Sequence, residues 1–357
     1  MSHEQDYSQI TQMPQTTPDV ALSESDESKG LSAATAKDAE STKIPTPEPL
    51  DCLTGAVEAN PRPPGPFHSG YVAIVGLPNV GKSTLLNRLL GTHLAAVAPR
   101  PQTTRHRLLG ILNGPGHQAV FFDTPGLLDP KYALQQHMKR EIDLALNDAD
   151  LVLLVLDASR PVEDAASFAG LAAGRRAVAA LNKVDLVKEK KDLLSVVERL
   201  AGAGLADVFM VSALIGGGIE ELKAAIVERL PEGRPFYAQD AMADRPERFF
   251  VAEFIREAVF NLYGEEIPYS TAVVIEEFKE RPGRKDYVRA NIYVERDSQK
   301  AIIIGRDGRA LKRVGTEARR NIEGFLGRPV YLELWVKVAE AWRKDERFIR
   351  ENVYGRE

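Results

Sequence analysis

Short apolar runs alternate with stretches of helical character from Tyr71 to about Leu230. Runs that are bounded by polar or glycine residues and separated by helices indicate βαβ units and a mainly parallel sheet. The second and third runs are joined only by NGPGHQ, which predicts a hairpin and one antiparallel strand at an edge of the sheet. This part of the chain is therefore expected to fold as an α/β domain. The six predicted strands are YVAIVG (71–76), LLGILN (108–113), AVFFD (119–123), LVLLVLD (151–157), AVAALNK (177–183) and DVFMVSA (207–213).

A second, smaller α/β domain is predicted after Leu230. The segment PEGRPFYAQDAMADRP (231–246) contains three prolines and no apolar period, and this composition predicts a linker. Helical and strand patterns then follow in the order α-β-β-α-β-α. The predicted segments are a helix at 247–262, strands at 273–279 and 291–296, an apolar strand or turn AIIIG at 301–305, a helix at 309–326, a strand at 330–338 and a last helix near 339–354.

Charge is distributed unevenly along the 357 residues. Residues 1–66 hold eleven acidic and four basic side chains, whereas residues 67–357 hold 40 and 42. The acidic segment is rich in Ser, Thr and Pro and has almost no periodic apolar pattern, so it is expected to be a disordered tail. Its acidity also argues against an organelle transit peptide. The expected organisation is a tail at 1–66, a first domain at 67–230, a linker at 231–246 and a second domain at 247–357.

Two further observations concern the compartment. Cys52 is the single cysteine, so the chain cannot form an internal disulfide, which fits a reducing compartment. No apolar run reaches the roughly 18 residues that a membrane span requires. A cytoplasmic protein is expected.

The octet GLPNVGKS (76–83) lies between a predicted strand and a helical stretch. It fits the pattern G-x-x-x-x-G-K-[ST], whose backbone N–H groups cradle phosphates. Gly76 and Gly81 let the backbone turn toward a β-phosphate, and the following helix adds its positive N-terminus. Lys82 supplies a charge between β- and γ-phosphates, and Ser83 supplies a hydroxyl for Mg²⁺. The octet alone leaves open a chance glycine turn.

A second motif, DTPG (123–126), ends the strand AVFFD. Asp123 can hold Mg²⁺ through a water molecule, and the N–H of Gly126 can reach a γ-phosphate. This motif therefore favours phosphate binding over a chance turn.

The motif NKVD (182–185) ends the strand AVAALNK, and Ser212-Ala213 follow the next apolar run. The Asp185 carboxylate can accept two N–H groups from guanine, at N1 and at the 2-amino group, which adenine lacks. The N–H of Ala213 would face the guanine O6. These residues predict a guanine pocket.

The four motifs occur in this order, each at a strand end, and the set resembles the GTPase family of P-loop proteins. The resemblance implies that the chain binds GTP and GDP with Mg²⁺ and hydrolyses GTP. The predicted GTP-binding residues are Gly76, Leu77, Pro78, Asn79, Val80, Gly81, Lys82, Ser83, Thr84, Asp123, Thr124, Pro125, Gly126, Asn182, Lys183, Asp185, Ser212 and Ala213.

The segment QTTRHR (102–107) lies between the first two motifs. A GTPase needs a threonine there to complete the Mg²⁺ coordination and to sense the γ-phosphate. Thr104 is favoured over Thr103 by analogy with related GTPases, so the predicted metal ligands are Ser83, Thr104 (or Thr103) and, through water, Asp123. Lys82, Thr104 and Gly126 are the predicted catalytic groups. A solvated basic loop is the alternative for this segment.

Leu127 follows DTPG, where Ras-like enzymes carry a glutamine that orients the attacking water. Within the class of GTPases that share an apolar residue at that point, an asparagine placed like Asn79 is associated with a bound K⁺. Asn79 as a K⁺ ligand is therefore a hypothesis, and Asn79 as a local turn residue is the alternative.

The second domain contains GRDG (305–308) before a basic helix. A G-x-x-G loop in this setting is how a KH domain holds the backbone of single-stranded nucleic acid. Residues 300–320 hold seven basic and two acidic side chains, which suits phosphate contacts. The strand order fits a type II KH domain. The predicted RNA-binding residues are Ile303, Ile304, Gly305, Arg306, Asp307, Gly308, Arg309, Lys312, Arg313, Arg319 and Arg320.

Taken together, the motifs resemble the Era GTPase family over about residues 69–355. This resemblance implies a G domain joined to a type II KH domain, binding to the 3′ end of 16S rRNA and a role in assembly of the 30S subunit. GTP is expected to shift the KH domain through the linker, and a monomer is expected. The resemblance also rests on GLPNVGKSTLLN, DTPGL, DRPERF (244–249), EEIPYS (265–270), IIGRDG and LELWVKV (332–338).

Two alternatives stay open. One is a membrane-associated signalling GTPase with weak peripheral attachment to the inner face of the cell membrane, although no lipidation motif is present. The other is a structural RNA-binding protein with a degenerate G domain, against which the intact Lys82, Ser83, Asp123 and Asp185 argue.

Overall fold

The computed structural model describes residues 66–127, 130–160, 170–171 and 174–354, apart from the side chains of residues 190 and 192. The predicted tail at 1–66 lies outside these residues except for Pro66, its last one. All described residues belong to one compact unit.

The first sheet has six strands in the order β2-β3-β1-β4-β5-β6. All neighbours are parallel except β2 and β3, which form the predicted antiparallel hairpin at the edge. β4 is buried along its whole length, because helices cover both faces of the sheet. The strands are β1 (His68–Val75), β2 (Leu108–Gly114), β3 (His117–Asp123), β4 (Leu151–Asp157), β5 (Ala177–Asn182) and β6 (Val208–Met210).

The helices of this sheet whose bounds lie within the described residues are α1 (Lys82–Leu90), α2 (Ala133–Asp148), α3 (Lys190–Gly202) and α4 (Ile219–Arg229). α1 and α4 pack against one face, and α2 and α3 pack against the other. β1 lies between β3 and β4 in the sheet. The helices α1 and α2, which follow β1 and β3, pack on opposite faces, so the chain leaves the carboxyl ends of these two neighbouring strands in opposite directions. Ligands of open α/β sheets bind at such a switch point.

The second sheet has the order β7-β8-β9, with β7 and β8 antiparallel and β8 and β9 parallel. Its strands are β7 (Ala272–Lys279), β8 (Asp286–Val294) and β9 (Val330–Val338), and its helices are α5 (Glu247–Leu262), α6 (Asp297–Ile304) and α7 (Arg309–Leu326). This mixed sheet is the arrangement of a type II KH domain. No helix in the described ranges is long and apolar enough to cross a membrane.

Two predictions for the second domain are wrong in detail. AIIIG ends the helix α6 and is not a strand or a turn, so the observed order is α-β-β-α-α-β. Its apolar run resembled a strand because α6 is only eight residues long, which hides the helical period. The last predicted helix is broken into Trp342–Lys344, Glu346–Phe348 and a π-helical turn at Ile349–Val353.

The segment predicted as a linker, 231–246, packs along the first domain. The N–H of Ile111 donates to Met242 O (2.9 Å), and the Gln118 carboxamide oxygen accepts from the N–H groups of Phe236 and Tyr237. The Phe236 ring also packs on that of Tyr71. The segment therefore covers the edge of the first sheet, which its proline-rich composition did not reveal.

Candidate functional site

The octet forms a tight loop between β1 and α1. A Cβ atom on Gly76 would lie 2.3 Å from the backbone oxygen of Val155 in β4, so no larger residue fits there. Gly81 has φ of 97°, and a Cβ on it would lie 2.4 Å from Nδ2 of Asn182. Gly81 also caps α1, so the free N–H groups of the first turn face the end of the loop.

The Lys82 ammonium lies under this loop. Its Nζ donates to the backbone oxygens of Gly76 (3.1 Å) and Leu77 (3.0 Å). Burial lowers the pKa of Lys82 to about 8, although the charge of Asp123 opposes this shift. A buried cation with this environment would be stabilised by an anionic group, such as a phosphate, in the loop.

Three oxygen-bearing side chains meet beside Lys82. The Ser83 hydroxyl lies 2.9 Å from that of Thr104, and both donate to Oδ2 of Asp123, at 2.7 and 3.2 Å. Thr103 is turned away, and its hydroxyl donates to Arg100 O (2.9 Å). Of the two threonines that the sequence left open, Thr104 therefore lies with the other predicted Mg²⁺ ligands.

The buried carboxylate of Asp123 is incompletely satisfied. Its Oδ1 is buried without a hydrogen-bond partner. Burial raises the pKa of Asp123, although Ser83, Lys82 and Thr104 each oppose the shift. Hydroxyl and carboxylate oxygens are the ligand types that Mg²⁺ prefers, so this group of residues fits the metal.

The cleft above these side chains has an empty volume of about 410 Å³. The phosphate loop forms one wall, and residues 96–104 form another. Nδ2 of Asn79 donates across the cleft to Pro99 O (3.3 Å), and the backbone of Asn79 is left-handed, with φ of 64°. The turn-making role of Asn79 is thus observed directly, and its role as a K⁺ ligand stays a prediction.

At the base end of the site, Asn182 joins two loops. Its Nδ2 donates to Val80 O (2.8 Å), and its Oδ1 accepts from the N–H of Ala213 (2.9 Å). Asn182 is 1% exposed, and these two bonds fix its carboxamide between the phosphate loop and the loop of Ala213. The N–H of Ala213 donates to Asn182 in this structure, and its contact with the guanine O6 stays a prediction.

Asp185 is exposed at the same end, and its Oδ1 accepts from the Ser212 hydroxyl (2.5 Å). The hydrogen bond orients the carboxylate. Lys183 Nζ donates to Asn79 O (2.5 Å), which connects the base loop to the phosphate loop.

Sequence reasoning missed two residues that support the base end. Arg88 on α1 donates to the backbone oxygens of Ala213 (3.1 Å) and Leu214 (2.5 Å), and no local pattern marks it. Asp157 pairs with Lys183 at 2.7 Å. Burial acts to raise the pKa of Asp157, but hydrogen bonds from Lys183 and Ser159 outweigh it and leave the pKa below its ordinary value. The position of Asp157 at the end of the apolar run β4 was the signal in the sequence that could have identified it.

The segment QTTRHR is not a solvated basic loop. Arg105 is 2% exposed and His106 is 9% exposed. Burial is the largest cause that lowers the pKa of His106, to about 4, so this imidazole is neutral at physiological pH. The alternative considered for this segment is therefore wrong.

The GRDG loop lies between α6 and α7 in the second domain. Gly305 has φ of 68°, and a Cβ on it would lie 2.5 Å from Cβ of Ala310. The predicted cations are all exposed: Arg306, Arg309, Lys312, Arg313, Arg319 and Arg320. Gly308 caps α7, so the loop presents both charge and the N-terminus of an 18-residue helix.

The predicted base contact of Ile303 is not available in this structure. Ile303 is fully buried in the core, because its helix packs that face against the sheet. Ile304 is half-buried, as are Leu311, Leu332 and Leu334, which pack against the same apolar cluster.

Family models match both parts of the chain. A family described as 50S ribosome-binding GTPase matches residues 71–192, and a KH domain family matches residues 266–343.

Related proteins match over most of the chain. GTPase Era of Geotalea daltonii is 44% identical over 298 residues, which cover 81% of this chain and 98% of that protein. The chloroplastic GTPase ERA1 of Zea mays is 41% identical over 295 residues, covering 81% of this chain and 71% of that protein.

A solved structure shows the same architecture. The crystal structure of Era in complex with MgGDPNP and nucleotides 1506–1542 of 16S ribosomal RNA aligns with a TM-score of 0.77 and 39% sequence identity, over 81% of this chain and 99% of that one. The predicted fold class is confirmed, and the nucleotide that the first domain binds and hydrolyses is GTP. The chain therefore belongs to the Era family of GTPases, with a P-loop GTPase domain followed by a KH domain.

Proposed function

We propose that this GTPase binds the 3′ end of 16S rRNA and acts in assembly of the 30S ribosomal subunit. The observation that carries the proposal is the exposed cationic GRDG loop and α7 in the same compact unit as the nucleotide cleft. The Era structure with bound 16S rRNA nucleotides supports it, because it aligns over 81% of this chain at 39% sequence identity.

We assign the chemistry to the groups that meet in the cleft. Lys82 and the N–H groups at the start of α1 stabilise charge on the β- and γ-phosphates, and the N–H of Gly126 binds the γ-phosphate. Ser83 and Thr104 would hold Mg²⁺ directly, and Asp123 would hold it through water. When bound, the metal neutralises charge that develops during attack of water on the γ-phosphate.

Guanine selection falls to Asp185. Its exposed carboxylate can accept the N1 and 2-amino hydrogens, while Ser212 holds it in place. Asn182, Lys183 and Ala213 connect the base end to the phosphate loop.

RNA binding is assigned to the loop and the helix that follows it. Gly305 and Gly308 allow close approach of the phosphate backbone, and the six exposed cations of the loop and α7 neutralise it. Ile304 and Leu334 offer half-buried apolar surface to the bases.

In-cell crosslinking of the full chain, followed by sequencing of the bound RNA, tests this function. The expected fragment is the 3′ end of 16S rRNA. A variant with Lys312→Glu and Arg313→Glu is the control, and it should lose the fragment while it still hydrolyses GTP. Recovery of a fragment from elsewhere would contradict the proposed function.

Vesicle flotation separates this function from a membrane-associated one. The chain should not float with anionic vesicles at physiological salt. Flotation that persists at high salt would favour the membrane-associated alternative.

Leu127 cannot orient the attacking water, and K⁺ bound near Asn79 is expected to supply charge that assists the reaction. GTP turnover should then be roughly tenfold or more faster in K⁺ than in Na⁺ at equal ionic strength, since one added charge-stabilising contact has effects of that order. Asn79→Ala should remove the difference. Equal rates in the two salts would contradict the hypothesis.

A further inference from the structure

The segment that carries Thr104 runs between the nucleotide cleft and the KH domain. Thr104 faces Ser83 and Asp123 in the cleft. The next residue, Arg105, points the other way and enters the KH domain. Neighbouring residues are linked by one peptide unit of about 3.8 Å, so a displacement of Thr104 is passed to Arg105 unless the backbone between them changes.

The Arg105 guanidinium is held by a short loop of the KH domain, residues 266–271. One terminal nitrogen donates to Thr271 O (2.7 Å), and the other donates to Pro268 O and Tyr269 O (3.2 Å each). Three carbonyl groups therefore converge on one side chain from another domain. A lysine in its place would present a single ammonium, not a planar fork.

Hydrogen bonds within the KH domain fix the shape of this loop. The Ser270 hydroxyl donates to Glu266 O (2.9 Å), and that of Thr271 donates to Ile267 O (2.7 Å). The indole N–H of Trp342 donates to Ser270 O (2.7 Å). These bonds engage three carbonyl groups of the loop, and the carbonyls of Pro268, Tyr269 and Thr271 accept from the guanidinium.

Two aromatic rings also lie beside the Arg105 guanidinium. The Arg105 guanidinium lies 5.6 Å from the ring centroid of Trp342 and 5.9 Å from that of Phe260. Glu253, the nearby acid, forms its ion pair with Arg256. The hydrogen bonds of the buried Arg105 guanidinium thus go to neutral carbonyl oxygens, and a buried cation in such a place is costly relative to an apolar side chain.

We propose that Arg105 is a positioning residue that transmits the position of Thr104, and hence the nucleotide state, into the KH domain. The inference rests on the proposed role of Thr104 at Mg²⁺·GTP and deepens the proposed function. It places the coupling path in the segment QTTRHR (102–107), whereas the sequence had suggested the 231–246 segment, which packs along the first domain. The Tyr354 hydroxyl, which donates to Arg105 O (2.9 Å), ties the C-terminal segment to the same point.

The two tryptophans allow a direct test. Trp342 is 1% exposed and contacts Arg105, whereas Trp335 is 56% exposed on β9. In a Trp335→Phe background, emission reports Trp342 alone. Exchange of Mg·GDP for Mg·GDPNP should change the Trp342 emission, and Arg105→Lys should abolish at least half of that change while GDPNP still binds, as measured by equilibrium dialysis.

Arg107 supplies the matched control. It lies two residues further along, but its contacts, with Asp148 and over the Phe122 ring, are within the first domain. Arg107→Lys should keep the full nucleotide-dependent change. If Arg105→Lys does not fold, Tyr354→Phe, which removes only the hydrogen bond to Arg105 O, should reduce the change by a smaller fraction. Full retention in the folded Arg105 variant, or no response in the parent protein, would overturn the proposal.

An RNA arm separates this inference from the proposed function. The probe is a single-stranded oligonucleotide with the sequence of the 3′ end of 16S rRNA. Its Kd should differ between the Mg·GDP and Mg·GDPNP forms by about fivefold or more, and Arg105→Lys should bring the ratio toward one. If the parent protein binds this RNA in neither state, the proposed function fails, and the Trp342 emission still decides the role of Arg105. An unchanged ratio in Arg105→Lys would contradict the coupling.

Discussion

At the scale of single residues, the site is defined by buried polar atoms whose partners are incomplete. Asp123 keeps one oxygen without a partner, and Lys82 has a lowered pKa because it is buried among carbonyl groups. Each is poorly satisfied by the protein alone. Both are therefore suited to a charged ligand, which explains why these residues stand in the cleft and not in the apolar core.

Replacement of one threonine hydroxyl by a methyl group should separate Thr104 from Thr103. Thr104→Val should weaken GTP binding about tenfold or more in Mg²⁺ and leave it nearly unchanged in EDTA, because only the metal-dependent contact is removed. Thr103→Val, which loses a hydrogen bond to Arg100 O, is the matched control and should change affinity by less than about threefold. Isothermal titration measures both, and equal losses would contradict the assignment.

The exposed Asp185 carboxylate should decide which base is bound. Asp185→Asn replaces one acceptor by an amide donor, which suits the 2-oxo group of xanthine and opposes the 2-amino group of guanine. The variant should lose at least about tenfold in GTP affinity and gain affinity for XTP. Competition between the two nucleotides measures the change. A variant that still prefers GTP would place guanine recognition elsewhere.

At the scale of elements, α7 and its capping loop are the clearest functional unit outside the cleft. Val314, Ala318 and Ile322 bury one face of α7, and the cations occupy the other. The helix is therefore held by its apolar stripe, independently of the charges.

Charge reversal on α7 should reduce RNA affinity without affecting the fold. Lys312→Glu with Arg313→Glu should lower affinity at least about tenfold and reduce the slope of log K against log salt by about 1.4, as expected for two lost phosphate contacts on a single strand. Lys139→Glu with Arg140→Glu on α2, which are also exposed, is the matched control. Fluorescence anisotropy across a salt series gives both slopes. The same loss in the two double variants would mean that only net charge matters.

At the scale of the whole molecule, residues 92–108 connect two domains that share one apolar core. Leu94 and Leu108 belong to the same cluster as Phe250 and Phe254 of α5. Glu257 of α5 is 3% exposed and accepts from the N–H of Val97 (2.9 Å). Any movement of residues 92–105 would therefore disturb contacts with the KH domain.

The contact between His93 and Glu257 should make the free energy of unfolding depend on pH. The hydrogen bond to Glu257 is the largest cause that raises the pKa of His93, and partial burial opposes it. Because the folded-state pKa lies above the ordinary value of about 6.5, the contribution is complete below that pH and is lost as pH rises through the raised pKa. The side chain is 42% exposed, so the effect is small, about 1–2 °C in Tm.

Thermal unfolding of the parent and His93→Gln between pH 6 and pH 9 checks this. The Tm of the parent should exceed that of His93→Gln by less as pH rises. In a Glu257→Gln background, the same comparison with and without His93→Gln should show no such trend. An advantage that is constant across the range would contradict the ion pair.

The sequence by itself determined the nucleotide site and most of the architecture. The motifs fall at the ends of apolar runs, and the carboxyl ends of parallel strands meet at one edge of a sheet, so Lys82, Asp123 and Asp185 were expected to converge. Burial of both faces made β4 recognisable as a continuous apolar run. The 18 residues of α7 show a helical period long enough to mark both ends. Local chemistry is sufficient for these features, because each is specified by neighbours in the chain.

Only the tertiary structure decided the features that depend on distant partners. It turned Thr104 and not Thr103 toward Asp123, engaged the N–H of Ala213 with Asn182, buried Ile303 and made a short apolar run into α6. It also placed Arg105 among carbonyl groups more than 160 positions further along the chain. A pattern shows that a side chain is buried or polar, but which group it meets depends on how the domains pack, and that packing joins the residue after Thr104 to the KH domain.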